Sequence, residues 1–498
     1  VSDCEYVIVQ AGGKGTRLKT LTKNKPKAIV PIDNLPMIFH LFRKYPDKRF
    51  IIIGDYKKEV LEAYLSVFAD VKYIVVGTDG NGGTCSGIQN ALKIIPDSRS
   101  FMLMWSDLIL GKNFELPDCS KDHIGLSNTF PCRWKYEDQT FSEDRSDKFG
   151  VAGLFIFTNK EMIRDVPESG EFVRWLQSKN MKFAPLFLKD TREFGLIEEI
   201  GKIESGKCRP FNSMTVADGK IRKEGIDEQG KKLAVREKAW YKYVSQYDNV
   251  PIPKIYSFDP FEMEAIDGKN IFDYDFSEKE KKTVLKKIVE ELYSLHKHKE
   301  LPPDAFSLND AYYSKTMGRL NKIRNLIPLA NERIITINGK KCRNVFFFQK
   351  ELKEKIDSLS CEHFNLIHGD CTFSNMMLRK GVEPVFIDPR GYFGFTELFG
   401  DPDYDWAKLY YSVVGNYDQF NLRRFELDIG EEIKLSIESN GWEQTEEEFF
   451  RLLKNVDPDQ IKLIHAIIWL SLTTYAWEDY DSICGAFYNG LYYLEDVL

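Results

Sequence analysis

Val7–Ile32 reads VIVQAGGKGTRLKTLTKNKPKAIVPI, and the order of its features decides the first half of the chain. A short β-rich run feeds Ala11-Gly12-Gly13-Lys14-Gly15-Thr16-Arg17, which places glycines where backbone must approach an anion closely. Glycine tolerates positive φ, and successive amides in such a turn cradle phosphate oxygens. Arg17 and Lys27 add a fixed and a mobile positive charge. The turn is not a Walker loop, because no Gly-Lys-Ser/Thr follows at the right gap. It is not a dinucleotide fingerprint either, because Lys14, Thr16 and Arg17 leave no GxGxxG. The distinguishing addition is Pro26-Lys27, followed by the apolar Ala28–Ile32.

Outward from this loop, short buried strands are expected at Tyr6–Val9, Arg49–Ile53, Lys72–Val76 and Phe101–Trp105, with helical spacing at Lys57–Phe68 and Ser86–Ile95. Such alternation predicts an α/β unit with a doubly wound, mixed but mainly parallel sheet, which Val151–Phe157 joins. Asp107 follows the run Phe101–Trp105 and so falls at the carboxyl end of a strand, where ligands collect in open α/β sheets. The character of the chain changes near Glu204–Pro210, which puts a seam near residue 207 and two domains at 1–207 and 208–498. Beyond the seam, MTVADGKIRKEG (Met214–Gly225) is a hairpin pattern with Asp218-Gly219 in the turn. Past about residue 275 the chain is expected to be mostly helical.

The second half carries LIHGDCTFSNMML (Leu366–Leu378) and PVFIDPRG (Pro384–Gly391). Phosphoryl transfer needs an acceptor for a hydroxyl proton and ligands for the metal at the ATP phosphates. Asp370 suits the first role, and Asn375 and Asp388 suit the second, while His368 reads as a structural support of the loop. Upstream, Ile221 and Lys223 share a strand face, which favours Lys223 over Lys220 as the phosphate lysine. Glu237 shares a helix face with Leu233, Trp240, Tyr241 and Val244, and an acid on such a face wants a cationic partner.

Composition narrows the classes. The 498 residues are 43% hydrophobic and 29% charged with net charge −7, enough for two or three cores and without the basic footprint of nucleic-acid binding. The nine cysteines are scattered with no CxxC pair, which suits reduced thiols in the cytoplasm. The start VSDCEYVIV lacks a signal-peptide pattern, and the apolar run Leu463–Trp477 is too short to span a bilayer, so stable membrane insertion is not expected.

The first segment, about residues 1–205, resembles the sugar-phosphate and phosphocholine nucleotidyltransferase family, whose signature is GGxGTR followed by a PK pair. The resemblance implies that Ala11, Gly12, Gly13, Lys14, Gly15 and Thr16 hold the nucleotide, with Arg17 on its β/γ-phosphates and Lys27 on the reacting phosphate. Asp107 would hold Mg²⁺, joined by Glu199 from EIGK (Glu199–Lys202), with Glu198 as its alternative. The run Thr78–Ile88 matches where the family reads base and ribose, so Gly83 and Thr84 are implied contacts alongside Gly82. From about Phe211 onward the chain resembles the aminoglycoside phosphotransferase and choline kinase family, which implies a two-lobed, protein-kinase-like α+β domain with a helical C-lobe. In it Lys223 and Glu237 would grip ATP, Asp370 would be the base, Asn375 and Asp388 would hold Mg²⁺, and Asp405 would brace the catalytic loop.

Joined on one chain, the two resemblances imply an ATP-dependent kinase and a nucleotidyltransferase acting in succession on a small molecule and its phosphorylated form. The compact first half is similar to members that take phosphocholine-sized acceptors, which implies CTP and a CDP-activated headgroup for surface polysaccharide or lipid. The alternatives are UTP or dTTP with a sugar 1-phosphate, or one half serving as a non-catalytic nucleotide-binding module. The residues admit choline, ethanolamine, an amide such as glutamine, or a sugar as acceptor. Tyr410, Tyr411, Trp469, Tyr475, Trp477, Tyr480 and Tyr488 offer aromatic faces, and Asp401, Asp403, Glu478 and Asp479 offer acids for an amine.

Overall fold

The computed structural model describes residues 4–195, 212–225 and 228–498. Two compact units emerge: Val1–Ser205 with Trp477–Asp481, and Gly206–Ala476 with Ser482–Leu498.

The first unit is built on a nine-stranded sheet. Strand β1 (Tyr6–Gln10) lies between β2 (Arg49–Ile53) and β4 (Phe101–Trp105), and β3 (Lys72–Val76) flanks β2, all parallel. Central strands are apolar on both faces because both faces are covered, as the buried run of β1 and of β4 shows. Strand β5 (His123–Ser127) and the eight-residue β6 (Gly150–Phe157) complete the inner sheet, with β6 antiparallel to β4. The sheet is mixed, as expected, and its longer pairings are the parallel ones. Four named pairings are parallel and four antiparallel, because β6 and the hairpin Lys135–Glu137/Thr140–Ser142 reverse direction beyond β4.

Gly153 sits where the register of β6 against β5 shifts, with φ +89; a Cβ there would lie 1.9 Å from the Trp105 ring. That glycine lets the bulged strand cross the tryptophan at the end of β4. The helix expected over Ser86–Ile95 shortens to Ile88–Leu92, since Gly87 takes φ +79 and turns the chain closely past Ile53. Helix α1 (Met37–Lys44) and helix α2 (Lys58–Phe68) carry apolar faces that bury Met37, Phe39, Leu41, Leu61, Tyr64 and Leu65.

Two features of this unit have no signal in the sequence. Cys4 and Cys119 bring their Sγ atoms to 2.6 Å across 115 positions. Trp477–Asp481, from near the C-terminus, packs here: the Trp477 ring lies 5.5 Å from Phe39 and 5.6 Å from Phe68. Lys25, 2% exposed, pairs with Asp479 at 3.2 Å and Asp481 at 2.6 Å. Burial pulls its ammonium down, but the two acids outweigh that and hold it above its ordinary range.

In the second unit, β7 (Asn212–Ala217) and β8 (Lys220–Gly225) form a hairpin whose turn residues Asp218 and Gly219 have φ +51 and +73. Two successive positive φ values are what a two-residue primed turn requires. Helix α3 (Glu228–Val244) follows, then β9 (Ile255–Phe258) and β10 (Phe261–Glu264), giving sheet order β7-β8-β10-β9. Helix α4 (Glu278–His296) begins with a full capping box between Ser277 and Glu280. The later chain is mostly helical, as expected, with short strands between the helices. It holds α5 (Lys315–Ile323), the paired β11 (Met376–Arg379) and β12 (Glu383–Phe386), α6 (Pro402–Val413) and α7 (Pro458–Leu472). No helix among the described residues is long and apolar enough to cross a membrane.

Candidate functional site

In the first unit β1 delivers the chain into the glycine loop, and the Ala11 amide donates to Ile53 O (2.9 Å), so the loop starts from a fixed point. Gly15 has φ +59, and a Cβ there would meet Thr22 at 3.0 Å and Lys27 at 3.3 Å. Gly13 faces open space, with nothing within 4 Å of its Cβ position. Lys14, Thr16 and Arg17 are exposed. Lys14 and Thr16 line a depression of about 440 Å³ with Lys19, Thr20, Thr22, Lys23 and Tyr56. Lys19 occupies φ +48 and ψ −115, a costly backbone for a residue with a side chain. The loop therefore presents cations and free backbone to solvent.

Lys27 reaches the strand-end acid directly: its Nζ pairs with Asp107, the two side chains being 12% and 17% exposed. Gly83 and Thr84 have structural work. A Cβ on Gly83 would lie 2.3 Å from Gly170 O, and Thr84 Oγ1 accepts the Phe172 amide (2.8 Å). Gln10 at the end of β1 donates to Thr84 O (2.9 Å) and Ser86 O (3.0 Å), tying this turn to the glycine loop. Glu198, Glu199 and Lys202 lie outside the described residues.

In the second unit the hairpin and α3 bring three charged groups together. Lys223 Nζ donates to Glu237 Oε1 (2.7 Å) and pairs with Asp388. Burial raises the Glu237 carboxyl although Lys223 draws it down, and for Lys223 the two acids outweigh burial and raise the ammonium. Trp240, one turn beyond Glu237, donates Nε1 to Ile367 O (2.8 Å) and so links α3 to the HGD loop.

That loop is held from beneath by Asp405 of α6. Its carboxylate accepts the His368 amide (2.9 Å), the Gly369 amide (2.7 Å) and His296 Nε2 (2.9 Å). Burial would raise this carboxyl, but His296 and His368 hold it below its ordinary value. His368 Nε2 bonds Ile387 O (2.9 Å) and its Nδ1 accepts the Asp370 amide (3.2 Å), which assigns a neutral ring with the proton on Nε2. Burial lowers its pKa and agrees with that assignment.

Asp370 itself keeps 38% of its side-chain surface open. Asn375 Nδ2 donates to its carboxylate (3.0 Å) and to its backbone O (2.8 Å), and Lys408 Nζ lies 3.1 Å from Oδ1. Burial opposes ionisation, but Lys408 outweighs it and the carboxyl sits below the usual range. Asp388 holds φ +53 and leaves 47% of its side chain exposed.

Sequence reasoning missed a group of cations beside Asp370. Lys408 rests 5.8 Å from the Tyr404 ring centroid, and Arg390 donates to Tyr404 OH (2.7 Å) and Tyr392 OH (3.0 Å). Arg319 donates to Ser471 O (2.6 Å) and Oγ (3.1 Å). Lys315 makes no hydrogen bond or ion pair among the described residues, and burial, then Arg390, Arg319 and Lys408, push its ammonium down to about 6 against a weaker pull from Asp310. Arg390 in IDPRG and Lys408 three residues after Asp405 were the available signals.

An unpartnered, partly buried ammonium destabilises the fold. The unfolded chain keeps the Lys315 proton up to its ordinary 10.5, the folded chain only to about 6. Stability therefore rises with pH across that window. Lys315→Met is expected to raise the thermal midpoint, most near pH 6 and least near pH 10, as melting curves at several pH values will show.

The aromatic residues of the C-terminal region are mostly core: Tyr410, Tyr411, Trp469, Tyr480 and Tyr488 are buried, while Tyr475 is 41% exposed. The candidate amine-binding acids are occupied too. Asp401 accepts Tyr312 OH (2.8 Å), Asp403 accepts Gln460 (2.6 Å) and Asp479 pairs with Lys25.

Residues 6–138 match the family model described as Nucleotidyl transferase. Over 228 residues the chain is 23% identical to the Bifunctional protein GlmU of Methanococcus maripaludis, covering 45% of this chain and 49% of that protein. Over 111 residues it is 33% identical to the UTP–glucose-1-phosphate uridylyltransferase AglF of Haloferax volcanii, covering 21% of this chain and 44% of that protein. The chain spans about half the length of the curated relatives it matches. Among solved structures, HddC from Yersinia pseudotuberculosis is similar at 22% identity and a TM-score of 0.34, over 40% of this chain and 97% of that one.

Proposed function

We propose that the chain carries out two consecutive transfers. The second unit phosphorylates a small alcohol, amine or amide with ATP, and the first unit then moves a cytidylyl group from CTP onto that phosphate. The observation that carries this is the presence on one chain of two separate charged centres, Lys27–Asp107 beside the glycine loop and Lys223–Glu237–Asp388 beside Asp370–Asn375. We read the second unit, from about residue 208, as a two-lobed kinase-like domain of the aminoglycoside phosphotransferase and choline kinase type.

In the phosphorylation step the acceptor hydroxyl gives its proton to Asp370 as its oxygen bonds the γ-phosphorus of ATP. The bond from that phosphorus to the bridging oxygen breaks and ADP leaves. Lys223, held by Glu237, supplies charge to the ATP phosphates. Asn375 and Asp388 would hold Mg²⁺, since a half-exposed carboxylate and an amide oxygen are the hard donors this ion takes alongside substrate phosphates. In the first unit Asp107 would hold it. When bound, the ion neutralises phosphate charge.

In the nucleotidyl step an oxygen of the new phosphate attacks the α-phosphorus of CTP and pyrophosphate leaves. No protein base is required because that oxygen is already ionised. Lys27 and Arg17 offset the charge that builds on the phosphates. The product is a CDP-activated headgroup suited to surface polysaccharide or lipid.

A second reading takes UTP and a sugar 1-phosphate, favoured by the 33% identity to a uridylyltransferase over 111 residues. Thermal shifts separate the two, because a ligand that binds the native state raises its apparent stability. CTP with Mg²⁺ is expected to raise the midpoint more than UTP or dTTP, and ATP to give its own shift that Lys223→Met removes. A larger shift with UTP would establish the second reading, and no shift with any nucleotide would overturn both.

A further inference from the structure

We propose that the acceptor phosphorylated by the second unit is an anionic alcohol, bearing a carboxylate or phosphate monoester that Lys315, Arg319 and Arg390 hold while its hydroxyl meets Asp370. This rests on the kinase reading of that unit and names its substrate class.

The charge balance around Asp370 carries the argument. Lys408 pairs with the Asp370 carboxylate at 3.1 Å, which uses the one acid at the centre of the cluster. Arg390 and Arg319 direct their hydrogen bonds to two phenols and to Ser471, all neutral. Lys315 has no hydrogen-bonding or ion-pairing partner among the described residues, and the field of Asp310 offsets its cationic neighbours only in part. Arg390 lies in the field of Asp370, and Arg319 and Lys315 lie in the field of Arg390, none of the three hydrogen-bonded to an acid among the described residues. Buried charge of one sign is costly unless something supplies the other. An anionic substrate does so, and it restores a favourable setting for the Lys315 charge.

The same geometry works against a cationic acceptor. A quaternary ammonium needs free aromatic faces, but the rings here already face protein cations. Arg390 lies 4.4 Å from the Tyr392 centroid and 5.8 Å from that of Tyr404, and Lys408 lies 5.3 Å from that of Tyr411. A primary amine needs an acid, and Asp401 and Asp403 are spent on Tyr312 and Gln460. Like charges brought together in such a site discriminate strongly against the wrong ligand.

The bond changes are those of the phosphorylation step with ATP as phosphoryl donor, and the anionic group itself does not react. A carboxylate and a phosphate monoester present the same chemistry to guanidinium groups. The test therefore uses both: D-glycerate and glucuronate, glycerol 3-phosphate and glucose 6-phosphate, against glycerol, ethanolamine and choline. Binding to the full chain is measured by calorimetry, and ADP release with ATP and Mg²⁺ is followed in parallel.

The expected result is that at least one anionic alcohol binds and is phosphorylated in preference to glycerol, ethanolamine and choline. Arg319→Gln and Lys315→Met should each weaken that binding about ten- to a hundredfold, and Arg319→Lys should keep most of it. Tighter binding of choline or ethanolamine, or equal anion affinity in the wild type and both neutral variants, would overturn the proposal. If ATP binds and no anionic alcohol does, the proposal falls and the kinase reading stands. If an anionic alcohol binds through Arg319 and Lys315 while ATP produces neither a shift nor ADP, the anion site stands and the kinase reading falls.

Discussion

Asp370→Asn is expected to lower ADP release by about 10²–10⁴-fold, the range a positioned proton acceptor contributes. Pyrophosphate release from CTP and a ready-made phosphorylated acceptor should be unchanged. The substitution keeps size and a carbonyl oxygen but removes the charge that accepts the hydroxyl proton. It also leaves Lys408 without its carboxylate at 3.1 Å, so a modest loss of stability should accompany the loss of rate. Asn375, which donates to both the Asp370 carboxylate and its backbone oxygen, keeps the loop in place and limits that loss. Coupled assays for ADP and for pyrophosphate on the same preparation separate the two effects. Equal loss of both activities at a temperature where the variant is folded would contradict the assignment of separate centres.

Lys27→Ala is expected to do the reverse, reducing pyrophosphate release by about 10²–10³-fold, the cost of deleting one fixed donor to a developing charge. ADP release should stay at the wild-type rate. Lys27 touches Asp107 directly, so its removal also frees a strand-end carboxylate that is 17% exposed. Lys27→Arg keeps the charge but changes its reach. It should recover part of the rate without restoring it, because a guanidinium cannot replace a compact ammonium at close quarters. Pyrophosphate assays on both variants, with melting curves as a folding control, check this.

What could be read from the residues divides by how local the chemistry is. The glycine loop is legible because one strand, one turn and one Pro-Lys pair within Val7–Ile32 contain its geometry. Lys223 and Glu237 are legible because strand alternation and helix periodicity each place them on a defined face, and the two faces then meet at 2.7 Å. Lys315, Arg319, Arg390 and Lys408 are illegible for the opposite reason. They come from α5, a loop and α6, and mean nothing until folding brings these elements together and sets Lys408 on the Asp370 carboxylate. Gly83 and Thr84 show a different limit, since a turn that suits a nucleotide also suits packing against Gly170–Phe172. The short Ile88–Leu92 helix follows from one left-handed glycine, which periodicity does not register. Trp477–Asp481 joins the first unit through Lys25, Phe39 and Phe68, partners more than 400 positions away.

The central claim is that one phosphate is installed by the second unit and then used by the first. Its most direct test follows that phosphorus. The full chain is given ATP labelled with ³²P at the γ-position, unlabelled CTP, Mg²⁺ and the whole acceptor panel, the anionic alcohols together with glycerol, ethanolamine and choline, and the products are separated and cleaved. The account predicts that the label appears as the β-phosphate of a CDP-linked product, is absent with Asp370→Asn, and stops at the phosphorylated alcohol with Lys27→Ala. Label that never leaves ATP for any acceptor, or that reaches a phosphorylated alcohol which no nucleotide converts further, would contradict it.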